Sequence, residues 1–350
     1  MLRFLATVSL TLVIVGGIWA LMNRNRIEDP TDVVDLVRER LSAFQVASGD
    51  QADAAAVSYA SDQPTPNPGS TLPVIRIASF QLRGCDTTAR DPGQQQLLTD
   101  IFRQYDVIAL QGIGGSADAW LAWLMGSLNA AVQGADYGFI DDRDSGIVRR
   151  ERSAIVFNRA TIELDQLNWY TVNDPDDLLK REPLVGWFRT RISERDRAFT
   201  FTLANVELSV GRPFSVDGAG MELAYLDELF RAIRNDGRGE DDVIIAGDFN
   251  AGDHGLTPIR QRAGLTWVVS NAPTDVRNTA QFDNLLFDGR ATIEFTGQGG
   301  VFDFMRRFNL RLEEAESLSK RLPVWAEFTA LEGVGIRRVA EENFRQQRSK

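Results

Sequence analysis

Histidine and cysteine are almost missing from this chain. Among 350 residues there is one of each, His254 and Cys85. A lone cysteine excludes an intramolecular disulfide, and a small buried or half-buried thiol is the plainer reading of Cys85 than a reactive one. A lone histidine excludes any site that needs two imidazoles, whether as metal ligands or as proton carriers. Also absent is an extended basic block; the net charge is -11. Phosphate contacts supply most of the affinity of a non-specific nucleic-acid binder, so the acidic balance argues against such a partner, although an average hides local patches. No internal repeat is visible. What remains is ordinary for a globular protein: 43% hydrophobic and 25% charged residues, in a length that allows one large domain or two small ones.

The first residues stand apart. From Phe4 to Met22 the run FLATVSLTLVIVGGIWALM is uncharged and mostly apolar. As a helix it spans roughly 28 Å, close to the hydrocarbon thickness of a bilayer. A cleaved leader would have a shorter apolar stretch and a small-x-small site after it. The expectation is therefore an uncleaved single-pass membrane anchor over 1–28, with the membrane as partner. The orientation stays open, because Arg3 and the amino terminus balance Arg24 and Arg26. Over 29–73 the sequence predicts a juxtamembrane amphipathic helix, Pro30 to Gln45, and then a Gly/Ser/Asp/Pro-rich linker. A folded domain is predicted over 74–330 and a polar tail over 331–350.

Within that domain apolar periodicities of two and of 3.6 alternate. Strands are predicted at Val74–Phe80, Val107–Leu110, Ser153–Phe157, Ile162–Tyr170, Leu184–Arg191, Phe199–Leu208, Val243–Ala246, Trp267–Val269, Asp283–Phe287, Thr292–Phe295 and Val324–Phe328. Helices are predicted at Pro92–Arg103, from Ser116 to about Asn129, and at Asp217–Asn235. Short connections between neighbouring strands imply mixed sheets. The predicted fold class is α/β (α+β): a four-layer sandwich of two packed mixed β-sheets flanked by helices, plus the N-terminal transmembrane helix.

The strongest local signal is DDVIIAGDFNA, Asp241 to Ala251, where a buried strand runs into Gly-Asp-Phe-Asn. Its bland alternative is a strand-ending turn. Other pieces follow in a fixed order. Glu151-Arg152 precedes the strand SAIVF, and Arg181-Glu182-Pro183 opens a strand. Gln281-Phe282-Asp283-Asn284 leads another, and Leu318-Ser319-Lys320-Arg321-Leu322-Pro323-Val324 closes the set. Together they resemble the endonuclease/exonuclease/phosphatase superfamily, with its deoxyribonuclease-I-like fold. The resemblance implies metal-assisted attack of water on a phosphodiester, with histidines moving protons. It carries Asp248 over as a group that positions water and Asn250 as a phosphate ligand. Arg181 is carried over as a phosphate contact, and Asp283 and Glu151 as acidic members of the site.

The chain departs from that pattern where chemistry is concentrated. Gln81 stands for the Asn that ends the first strand. Gly112 stands for the Glu that is the principal metal ligand. Glu207 replaces one histidine, and Lys320 and Arg321 replace the Asp-His pair. Arginine is no proton acceptor at neutral pH, and general acid or base groups contribute about 10²–10⁴-fold each. The lost Glu adds one positive unit, Lys320 two and Arg321 one, and Glu207 removes one. The site is thus about three units more positive than its relatives, which opposes a divalent cation.

Two functional expectations follow. In the first, the domain is catalytically impaired: it binds a phosphate-bearing small molecule or protein partner through Arg181, Asn250, Lys320 and Arg321, holds no metal, and does not bind nucleic acid. In the second, it is an active, divergent phosphodiesterase or nuclease. Mg²⁺ or Mn²⁺ would then sit on a rebuilt acidic set, Glu151, Glu207 and Asp248, with His254 recruited as acid or base.

Overall fold

The alternation in VIRIASFQ is realised as a strand, β1 (Val74–Gln81), in the computed structural model, which describes residues 72–82, 92–114, 117–131, 134–142, 151–176, 178–179, 181–209 and 222–335. After β1 come α1 (Pro92–Phe102), β2 (Val107–Gly114), α2 (Ala117–Ala131), β3 (Tyr137–Asp141), β4 (Glu151–Asn158), β5 (Ile162–Leu164), β6 (Tyr170–Thr171), β7 (Leu184–Thr190) and β8 (Thr200–Glu207). The second half holds α3 (Leu226–Arg234), β9 (Val243–Asp248), α4 (Asp253–Ala263), β10 (Thr266–Trp267), β11 (Asp283–Phe287), β12 (Phe295–Val301), α5 (Phe304–Arg307), α6 (Leu312–Leu318) and β13 (Val324–Thr329).

These strands form two mixed sheets flanked by helices. One sheet has the order β12-β13-β1-β2-β4-β3, the other β10-β11-β9-β8-β7-β5, with β6 also paired to β7. Each has a parallel pair near its centre, β1 with β2 and β8 with β9, and its remaining pairs are antiparallel. Strands buried on both faces read as continuous apolar runs, and VIIAGD of β9 is buried at every residue.

Three apolar clusters separate the layers. Phe80, Phe102, Trp120, Leu124, Leu128, Phe304 and Leu318 join the first sheet to α1, α2, α5 and α6. Ile77, Ile155, Phe188, Phe201, Ile244, Leu285 and Phe328 fill the space between the sheets. Val206, Phe230, Ile233, Ile245, Leu256 and Ile259 join the second sheet to α3 and α4. The middle cluster carries an aromatic ladder: Phe157, Phe188, Phe201, Phe199 and Phe328 meet in sequence at centroid separations of 5.1–6.0 Å. Full burial of each such side chain stabilises by about 1.5–3 kcal/mol.

Several elements differ from the sequence-based expectation. The single strand expected over Ile162–Tyr170 is two, β5 and β6. The Asp165 carboxylate accepts the Leu167 backbone N–H and the Asn168 side-chain Nδ2–H and closes a turn between them. The helix expected over Asp217–Asn235 begins as a 3₁₀ turn, Glu222–Tyr225, and becomes α3; residues 217–221 lie outside the described residues. The strand expected at Thr292–Phe295 is instead β12. Its Gly-rich sequence FTGQGGV hides a strand in which a Cβ on Gly299 would lie 2.6 Å from the Trp325 carbonyl oxygen. Strand β3 and helices α4, α5 and α6 carried no clear sequence signal.

The single-pass membrane assignment is corrected. Among the described residues no helix is long and apolar enough to cross a membrane. The run Phe4–Met22, the helix Pro30–Gln45, the linker up to 71, Cys85, the Ser116 cap and the tail beyond 335 lie outside the described residues.

Candidate functional site

Three neighbouring strands of the second sheet end in carboxylates. In register, Glu207 on β8 faces Asp248 on β9, and Asp248 faces Asp283 on β11. All three are buried, and Asp283 is 0% exposed. Like charges this close oppose ionisation, and burial compounds the effect. The Asp283 carboxyl is pushed well above the ordinary carboxylate range, first by burial and then by Asp248, with Arg321 and the Thr274 hydroxyl opposing.

Arg321 lies against this row. One terminal nitrogen is 3.2 Å from Asp248 Oδ2 and donates to Asn250 Oδ1 at 3.4 Å, and Nε is 3.7 Å from Asp283 Oδ2. Its guanidinium stacks 3.5 Å from the centroid of the Phe282 ring, and its backbone N–H donates to Ser319 Oγ at 2.9 Å. A planar cation held on an aromatic face and by carboxylates is the arrangement for which arginine is better suited than lysine. The second arginine repeats the theme. Arg181 contacts Glu207 at 3.0 Å and Glu151 at 2.5 Å. The two sheets touch beside it: Gln111 Nε2 donates to Asn205 Oδ1 at 2.7 Å, and Asn205 Nδ2 donates to the Leu110 and Ala154 carbonyls.

Local backbone explains several residue choices. Asn250 has φ 49°, the left-handed region that asparagine tolerates, and its N–H donates to Asp248 Oδ1. Gly112 has φ 68° and sits where the β2–β4 register shifts between Leu110 and Ile113. A glutamate there would carry the strain of a left-handed L-residue, about 1–2 kcal/mol.

The chain matches the Endonuclease/Exonuclease/phosphatase family over residues 79–305. It belongs to that family. A relative named "Deoxyribonuclease-1-like 1" from Cricetulus griseus is 27% identical over 268 residues, covering 73% of this chain and 84% of that protein. "Deoxyribonuclease gamma" from Mus musculus is 24% identical over 267 residues, covering 71% and 83%. A solved endonuclease/exonuclease/phosphatase from Bacteroides vulgatus is 15% identical with a TM-score of 0.49, covering 73% of this chain and 99% of that one.

Endonuclease/exonuclease/phosphatase proteins are typically dependent on a divalent metal, so the fit of the carboxylate row to one matters. The donors do not fit. Glu151 and Glu207 face the Arg181 guanidinium, Asp248 and Asp283 face that of Arg321, and position 112 offers no carboxylate. The rebuilt metal set Glu151, Glu207 and Asp248 does not converge either. Among the described residues, the acidic groups whose oxygens lie within 4.8 Å of one another are Glu240–Asp241–Asp242 and Asp242–Glu294–Glu332. Sequence reasoning missed these, because Glu294 and Glu332 are distant from Asp242 along the chain.

Of the remaining candidates, Gln81 is buried beside Gln111, and its carbonyl accepts from Ser319 Oγ at 2.7 Å. Lys320 is exposed and, among the described residues, has no ion pair. His254 is exposed on the first turn of α4 and makes no hydrogen bond among the described residues, so the structure does not bring it to the carboxylate row. The Gln111–Asn205 link was not expected from sequence; two amide residues inside apolar strands were the available signal. Asn205→Ala removes the acceptor for Gln111 and the donor for two buried carbonyls. It is expected to destabilise by about 2–3 kcal/mol, read as a fall in the urea midpoint at unchanged slope.

Proposed function

We propose that this chain is a non-hydrolytic member of the endonuclease/exonuclease/phosphatase family, in which the phosphate-cleaving row has become an internal ion-pair network. The observation that carries this reading is the Arg321 guanidinium seated among Asp248, Asp283 and Asn250. A phosphodiesterase needs a proton carrier and an electrophile there. Arginine is no base at neutral pH, and it repels a second cation. Asp248, Asn250 and Asp283 then serve to hold Arg321, and Glu207 and Glu151 to hold Arg181. A phosphate-bearing ligand or partner at Arg181, Asn250, Lys320 and Arg321 must compete with those carboxylates, so inorganic phosphate is expected to bind only in the millimolar range. Calorimetric titration with phosphate checks this; micromolar binding would show that the arginines are free to take an anion.

The direct test is hydrolysis of bis-p-nitrophenyl phosphate and of duplex DNA by the purified chain with Mg²⁺, Mn²⁺ and Ca²⁺. No turnover above the enzyme-free rate is expected. Loss of an acid and a base alone removes about 10⁴–10⁸-fold when each contributes 10²–10⁴-fold.

A second reading, an active but divergent nuclease, draws on the four acidic side chains Glu151, Glu207, Asp248 and Asp283 gathered on two arginines and on relatives whose names are deoxyribonucleases. The net charge of -11 opposes a nucleic-acid substrate. Metal-dependent cleavage that disappears in Asp248→Ala would establish this second reading in place of the first.

A further inference from the structure

At the opposite end of β9 from Asp248 lies a second acidic cluster with a different character. Asp242 immediately precedes β9, six strand residues or about 20 Å from Asp248. Glu294 immediately precedes β12, and Glu332 follows β13. One carboxylate oxygen from each lies within 4.8 Å of the others. Asp242 is 2% and Glu294 1% exposed, and Glu332 stands at the rim.

Acidic residues often cluster without holding anything, so the unsatisfied atoms are what matter. Asp242 Oδ1 and Glu294 Oε2 are buried with no hydrogen-bond partner among the described residues. The buried hydroxyl of Thr292, 1% exposed, is turned toward the Asp242 carboxyl. Buried polar atoms are almost always paired, and two unpaired carboxylate oxygens at one point call for an absent partner. The other atoms are fixed. Glu294 Oε1 accepts the Gly333 N–H at 2.6 Å and Glu332 Oε2 the Thr200 N–H at 3.0 Å. The charged side chains with the largest effect on Asp242 are Glu294, Glu332 and Glu240, and on Glu294 they are Glu332 and Asp241, all acidic. The nearby Arg234 is engaged with Asp241 and Asp288. This differs from the Asp248 row, where each carboxylate faces a guanidinium.

We propose that Asp242, Glu294 and Glu332, with the Thr292 hydroxyl, bind one divalent cation that clips the start of β9 to β12 and to the segment after β13. The donors are all oxygen, with no histidine or cysteine, which selects Ca²⁺, Mg²⁺ or Mn²⁺ over zinc; the loose donor spacing and room for water at the Glu332 rim suit Ca²⁺ best. The cation supplies the charge that is missing and joins the two sheets, since β9 belongs to one and β12 and β13 to the other.

The test uses the full chain, stripped with a chelator and dialysed at pH 8. Adding millimolar Ca²⁺ is expected to raise Tm by several degrees, and calorimetry is expected to show one saturable site per chain. Asp242→Asn and Glu294→Gln, which remove charge while keeping shape, are expected to abolish both the shift and the heat. Thr292→Val is expected to weaken binding and is read by the same titration should either carboxylate variant fail to fold. Absence of heat and of a Tm shift with Ca²⁺, Mg²⁺ and Mn²⁺ alike would overturn the proposal, leaving a proton-sharing carboxyl pair. A shift of undiminished size in Glu294→Gln would overturn it as well. Neither result bears on hydrolysis at Asp248, so the two readings fail separately.

Discussion

Arg321→Ala is expected to lower the free energy of unfolding by about 3–5 kcal/mol, the usual consequence of removing one partner from a buried ion pair. The side chain is 16% exposed and its carboxylate partners are at most 1% exposed, so water does little to screen the loss. Two carboxylates, Asp248 and Asp283, would be left facing each other across β9 and β11 without the Arg321 guanidinium, and the contact with Phe282 would go too. The pH dependence gives a signature that lost packing alone would not. The carboxyl of Asp283 is already raised, so it binds its proton more tightly folded than unfolded, and its contribution declines as pH rises above the unfolded value. Without Arg321 the raised range widens. The deficit of Arg321→Ala relative to the parent should therefore be larger at pH 8 than at pH 5 in urea denaturation. An equal deficit at both values would mean that packing on Phe282, and not charge, is what the arginine contributes. Arg321→Lys is expected to recover only part of the loss, because an ammonium cannot span Asp248, Asp283 and Asn250 while lying flat on the ring.

Gly247→Ala should be as damaging by a different route. A Cβ at this position would lie 1.9 Å from the Val206 carbonyl oxygen and 2.8 Å from its carbon, and both are backbone atoms of the adjacent parallel strand β8. The β8–β9 pair cannot yield without breaking the register that aligns Glu207 with Asp248. The expected loss exceeds about 4 kcal/mol, in the range reserved for severe core disruption, and the variant should fail to give a cooperative unfolding transition by circular dichroism. Gly114→Ala is the control: nothing lies within 4 Å of its Cβ. It should stay within about 0.5 kcal/mol of the parent. Comparable losses in the two variants would show that glycine's backbone freedom, and not the close approach of β8, is the cause.

These two results bear on how far the Gly-Asp-Phe-Asn motif reports on structure as distinct from catalysis. Each residue of Gly247-Asp248-Phe249-Asn250 has structural work. Gly247 permits the approach of β8, and Asp248 anchors Arg321. Phe249 is buried among the residues of α3 and α4, and Asn250 takes the left-handed turn and donates to the Leu208 carbonyl at 2.6 Å. A motif held by packing in this way is retained whether or not a reaction depends on it. Its presence is therefore good testimony for the fold and poor testimony for turnover.

The sequence alone determined the strands with alternating or continuous apolar patterns, such as those expected at Val74–Phe80, Asp283–Phe287 and Val243–Ala246, and the order of motifs that marks the family. It also determined the absences: one histidine, and no carboxylate at position 112. Those are properties of residues taken one at a time or a few at a time, and local periodicity and composition suffice to read them. Only the tertiary structure decided which charges cancel. Arg321 and Asp248 are 73 residues apart, and Arg181 reaches Glu151 across 30. Whether those arginines wait for phosphate or hold carboxylates depends on strand register and on the Phe282 ring. The same holds for Asp242, Glu294 and Glu332, which become one site only because β9, β12 and the end of β13 converge. Electrostatic interaction depends on distance and on the exclusion of water, and a linear sequence specifies neither until the sheets have packed.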